Sequence, residues 1–175
     1  MNKLTYPIDL GFIAEESERL VAENEQFRSY LRSLDQDLDT TVQALNQRIS
    51  SAVDCTACGN CCRSLLINVS QEEAVALADR TGLSLAELKQ SHLEESLGGQ
   101  LIINTIPCHF LEQNKCTIYE NRFAECREFP HLHKDGFRDR LFGILMHYGR
   151  CPIVYYVVEE LKGITDFRTN TNLAI

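Results

Sequence analysis

The chain has 175 residues, 44% of them hydrophobic, which is enough for a core of its own and suits one domain with an appended arm. Twenty-five acidic against 17 basic side chains give a formal charge of −8 with no basic stripe, which argues against nucleic acid as a partner. Eight cysteines are too sparse for a disulfide-stapled miniprotein.

Residues 9 to 53 contain no proline, no cysteine and a single glycine, Gly11. Phe27, Leu31, Leu34, Leu38, Val42, Leu45, Ile49 and Ala52 recur at steps of three and four, with polar residues between them. This predicts a long amphipathic helical arm, or two helices broken near Asp35 to Asp39. Its apolar stripe is expected to pack on the cysteine-bearing half of the same chain. The alternative is contact with a protein partner or a second copy, and a near-heptad pattern of barely four repeats favours it less.

Cys55, Cys58, Cys61 and Cys62 follow within eight residues, as Cys-Thr-Ala-Cys-Gly-Asn-Cys-Cys. The two-residue gaps let three thiolates turn toward one centre, and Gly59 permits the tight backbone this needs. Cys61 and Cys62 are adjacent. Neighbouring side chains diverge, so Cys62 is expected to serve a second centre, to bridge two ions, or to stay free.

Ser70 with Glu73 and Ser84 with Glu87 both fit a capping box, predicting helices at about 71–80 and 85–95, the second ended by Gly98-Gly99. Leu101 to Ile106 reads as a strand. Gln113, Asn114 and Lys115 form a turn into a second strand, Cys116 to Tyr119, so a small β-hairpin is expected. Glu120 to Cys126 can make one or two helical turns before Pro130. Phe137, Leu141, Ile144, Leu145 and Tyr148 share a helical face. Pro152 suits the first position of a final helix, because its missing amide proton costs nothing there. Ile153 to Val158 is β-branched and aromatic, but Glu159 to Lys162 extends the segment past strand length, so helix is expected.

The other cysteines, Cys108, Cys116, Cys126 and Cys151, each fall at an element boundary, from which a side chain can reach a shared centre. Eight thiols divide into two four-coordinate sites, the number needed by tetrahedral zinc or an iron–sulfur cluster. Spacing does not separate zinc from iron. His109 beside Cys108, and His131-Leu-His133 on one side of an extended segment, are weaker candidates to complete a coordination sphere. Arg122 and Arg127 are placed to offset thiolate charge or, equally, to form surface salt bridges with Glu120 or Glu128. Phosphate-cradling glycine loops, a dinucleotide fingerprint, a nucleophile elbow and a His-Glu-x-x-His helix are all absent from the sequence.

Four blocks in this order resemble the YkgJ-type cysteine-cluster family: Cys55 to Cys62, Pro107-Cys108-His-Phe110-Leu111, Cys116-Thr-Ile-Tyr119-Glu120-Asn-Arg122, and Cys126-Arg127-Glu-Phe129-Pro130. The resemblance covers about residues 54 to 130 and is expected to extend to Cys151. It departs in one place, where Phe123 stands after Arg122 and the family usually has proline. It implies zinc or iron chelation by Cys55, Cys58, Cys61, Cys62, Cys108, Cys116 and Cys126, and Cys151 is added by the count of eight.

The expected architecture is mainly α with a small β-hairpin. A helical arm (1–53) precedes a compact cysteine-cluster metal-binding domain (54–162) and a C-terminal tail (163–175). The expected function is metal binding at one or two centres by a non-catalytic metalloprotein or interaction module. The alternatives are an iron–sulfur enzyme or electron carrier, since a similar cluster occurs in flagellin lysine methylases, and a metallochaperone or thiol redox sensor. No run of about 18 apolar residues occurs, and Met1 to Ala14 lacks the zones of a secretory leader. A cytoplasmic protein with no membrane partner is therefore expected, in surroundings that keep thiols reduced.

Overall fold

The computed structural model describes residues 6–169, so the first five residues of the expected arm and the last six of the expected tail lie outside it. In chain order the helices begin with α1 (Leu10–Arg19), α2 (Val21–Ser33), α3 (Asp39–Ser50), α4 (Cys55–Cys58) and α5 (Asn60–Ser64). Strand β1 (Asn68–Val69), helices α6 (Gln71–Thr81) and α7 (Leu85–His92), and strands β2 (Leu93–Glu95), β3 (Leu101–Ile103), β4 (Leu111–Glu112) and β5 (Lys115–Cys116) follow. A 3-10 turn at Tyr119–Asn121 leads to α8 (Ala124–Glu128), α9 (Phe137–Leu145) and α10 (Pro152–Ile164). The protein is mainly helical with small antiparallel sheets. Its residues group into two compact units, one running up to Asp54 and resuming at Pro130, the other spanning Cys55–Phe129.

In the helical unit six residues of the predicted stripe, Phe27, Leu31, Leu38, Val42, Leu45 and Ile49, are nearly inaccessible, while Leu34 is half-buried and Ala52 exposed. The stripe packs on α9 and α10, with α3 against both and α2 against α9. The break expected near Asp35 to Asp39 is present. Asp37 accepts the Asp39 amide at 2.9 Å and the Thr40 hydroxyl at 3.0 Å, which starts α3 afresh. A second break, at Leu20, divides the arm once more. Helix α10 is apolar almost all round, as a central helix must be, and burial overrides the strand preference of Ile153 to Val158. Its Lys162 is buried and held between Glu23 and Glu159, each at 2.7 Å. Tyr148 donates to the same Glu159 at 2.6 Å.

Two glycines shape this unit. Gly136 has φ +72° and no side chain to cap α9, so Asp39 supplies the cap from α3, accepting the Gly136 amide at 2.7 Å and the Phe137 amide at 2.8 Å. Gly149 lies so close to α1 that a Cβ there would stand 2.5 Å from Ser17 Oγ and 2.6 Å from Ser17 Cβ.

The amides of Phe137 and Gly136 hold the Asp39 carboxyl below the usual carboxylate range. A depressed folded-state pKa contributes stability above the unfolded value of about 3.9, and the contribution is lost as pH falls through the folded value. Asp39→Ala is therefore expected to cost about 1 kcal/mol near neutral pH. The difference from wild type should shrink below about pH 4. Denaturant melts at several pH values check this, and a pH-independent gap would contradict it.

The cysteine unit has its own hydrophobic core, in which Val69, Ala74, Leu77, Leu88, Leu101, Ile103 and Phe123 are buried. Both expected capping boxes are formed, by Ser70 with Glu73 and by Ser84 with Glu87. Helix α7 stops at His92, short of the expected 95, because Leu93–Glu95 leaves to pair with β3 in the register Leu93↔Ile103. Gly98 and Gly99 accordingly lie in the turn between β2 and β3 and do not end a helix. Strand β1 pairs the other side of β3, completing the antiparallel order β1-β3-β2. The strand expected from Leu101 therefore joins this sheet, while the Cys116 strand forms a separate hairpin, β4–β5, pairing Leu111↔Cys116 and Glu112↔Lys115. Gln113 and Asn114, at φ +45° and +71°, are its two turn residues, as a tight hairpin with native twist requires.

Candidate metal centre

The cysteine run folds as two single turns, α4 and α5, joined by Gly59 in the left-handed region at φ +59°. The close approach there is as important as the dihedral. A Cβ on Gly59 would lie 3.0 Å from the Asn114 carbonyl oxygen and 3.1 Å from Arg63 Nη1. Arg63 donates to the Cys58 carbonyl at 3.2 Å and also bonds the Asn114 side chain, so it clamps the cysteine run to the β4–β5 hairpin that carries Cys116. A second tie comes from the Cys108 amide, which donates to the Cys62 carbonyl at 2.8 Å.

Cys62, Cys108, Cys116 and Cys126 lie within electrostatic reach of one another. Cys108, Cys116 and Cys126 also pack against the unit's hydrophobic core. Burial foremost, then repulsion from the thiolates of Cys62, Cys108 and Cys116, pushes the Cys126 thiol up to about 12. Burial and the neighbouring sulfurs likewise raise Cys108 and Cys116. The Arg122 guanidinium opposes the rise at Cys116 and Cys126. Its Cζ lies 4.0 Å from the centroid of the Tyr119 ring, and it donates to the Tyr119 carbonyl at 2.9 Å. Arg127 bonds the Arg122 carbonyl and so braces the same turn.

Cys61 and Cys62 do not diverge as adjacency suggests. Their sulfurs are 4.0 Å apart, close to the roughly 3.8 Å between thiolates on one tetrahedral zinc with bonds of about 2.3 Å. The hydrogen bond between them is the main cause holding the Cys62 thiol high. Cys55 is exposed, while Cys58 and Cys61 are half-buried.

Cys151 belongs to the other unit, where it is buried at the N-terminus of α10. None of the eight cysteines is in a disulfide. Among the described residues no group of three or more cysteine, histidine or acidic side chains is placed to hold a metal ion. The donor set nevertheless suits a soft or borderline cation. Cys108, Cys116 and Cys126 border an apolar core, where a dication would offset the repulsion that raises these thiols.

The histidines take other roles. His109 Nε2 is 2.7 Å from Asn104 Oδ1, and its ring sits 4.8 Å from that of His92. His131 adopts φ +60° and opens a turn, so the segment through His133 is not extended as expected. Arg63, and the contact it makes with the turn residue Asn114, went unnoticed in the sequence. Arginine five residues after Cys58 carries no spacing signal, and its partner lies 51 positions away.

The arrangement defines a cysteine-cluster domain. The chain belongs to the CxxCxxCC family, described as "Putative zinc- or iron-chelating domain", whose family model matches residues 54–144, just over half of its length. No curated protein and no solved structure matches the chain significantly.

Among the described residues no helix is long and apolar enough to cross a membrane.

Proposed function

We propose that the chain binds zinc or iron through two neighbouring thiolate groups and serves as a non-catalytic metalloprotein. Cys62, Cys108, Cys116 and Cys126 hold one centre. Cys55, Cys58 and Cys61 line the other, with the Cys61–Cys62 pair at their junction. The observation that supports this reading is that Cys108, Cys116 and Cys126 border one hydrophobic core and lie within electrostatic reach of Cys62. Four thiolates close a tetrahedral sphere and leave no position for substrate or hydrolytic water, which favours a structural over a hydrolytic role. Arg122 offsets part of the excess negative charge.

Metal and acid-labile sulfide analysis of anaerobically purified protein tests the reading. Stoichiometric zinc or iron without sulfide is the expected result. Sulfide with visible absorbance that bleaches on reduction would move the assignment to an iron–sulfur protein. Metal-free protein that takes up neither ion would overturn it.

A further inference from the structure

We propose that Glu73 is a positioning residue for Cys126, an inference that rests on the thiolate reading above. Glu73 is the third residue of α6, and one of its carboxylate oxygens accepts the Ser70 amide at 3.0 Å to complete the capping box. Its other oxygen accepts the Ala124 amide at 2.6 Å, across 51 positions of sequence. One carboxylate thus satisfies exposed amides at the starts of two helices, α6 and α8.

Helix α8 needs that outside help. It is five residues long, too short to persist by propensity, and Phe123 at its N-cap has no polar side chain to offer. Cys126 is its third residue. The ties that aim this sulfur come from elsewhere in the unit: Glu73 to Ala124, Asn68 Nδ2 to Glu125 Oε2 at 3.1 Å, and buried Phe123 edge-on to Phe110. The first two both end on a carboxylate, and the first is the shorter and the one that meets a backbone amide of α8 itself.

Glu87 provides an internal control. It completes the same type of box with Ser84 at the start of α7, and its bonds stay within that box. Glu73→Ala and Glu87→Ala therefore remove equivalent caps, but only the first also frees α8.

Zinc(II) is loaded anaerobically into the full chain, and its release to a competing chelator is timed. Loss of an outer partner typically weakens metal binding about 10–100-fold. Glu73→Ala is expected to speed release of one zinc by about tenfold or more, while Glu87→Ala stays within about twofold of wild type. Equal effects of the two variants, or none from Glu73→Ala, would overturn the proposal. A second measurement does not depend on metal. In the metal-free chain, alkylation of Cys126 by iodoacetamide, mapped by mass spectrometry, should accelerate in Glu73→Ala and in the milder Glu73→Gln but not in Glu87→Ala. Wild type that takes up no zinc sinks the metal reading alone, and unchanged Cys126 alkylation sinks the positioning role alone.

Discussion

Cys126→Ser is expected to remove about one equivalent of bound metal and to loosen residues 108–128 while leaving α6, α7 and the three-stranded sheet in place. A serine hydroxyl stays protonated at neutral pH and is a poor ligand for zinc or iron, so one of the four proposed donors is lost. The fall in affinity should exceed the roughly 100-fold that loss of an outer partner can cost. Collapse of the whole unit is not expected, because Leu77, Leu88, Leu101 and Ile103 are buried within the core, whereas Cys126 only borders it. Metal analysis with hydrogen exchange reads both effects together. Unaltered metal content would remove Cys126 from the site. The same assay on Cys151→Ser decides the eighth cysteine: a lost equivalent makes it a ligand, and full retention makes it a core residue of the helical unit.

Gly149→Ala should destabilise the helical unit by about 1–3 kcal/mol, the usual cost of forcing extra volume into a packed contact. A Cβ 2.6 Å from Ser17 Cβ cannot be relieved by a rotamer change, because that atom is fixed to the backbone of α1. Helix α1 must move away, and with it Ile13, which is fully buried. Adding Ser17→Gly removes the clashing atoms, so the double variant should recover stability relative to the two single losses summed. A double-mutant cycle in denaturant measures that coupling. Additive losses would show that the contact is not the cause.

Elements governed by local chemistry were legible in the sequence. Ser70 with Glu73, Ser84 with Glu87 and Pro152 at the start of α10 act within one helical turn, and each appears where expected. Gly59 in a left-handed turn followed from the cysteine spacing alone. The misreadings are long-range. Leu93 could have continued α7, and only its pairing with Ile103 makes it a strand. Two-residue β1 is too short for any periodicity to mark. The site divides in the same way. The cysteines announced themselves by residue type and interval, while the groups that arrange them did not. Arg63, Asn114 and Glu73 act across about 50 positions, through contacts that exist only once the chain is folded.

The division into units sets an order of assembly during translation. Helices α1 to α3 leave the ribosome first, yet α9 and α10, on which they pack, are made after the entire cysteine-bearing stretch. That stretch is continuous from Cys55 to Phe129 and holds all the partners of its own core. At about 5–20 residues per second, it emerges complete about 2–7 seconds before α10 does. The nascent inner unit can thus acquire its inorganic guest while the first three helices still await the C-terminal pair that will cover their apolar face.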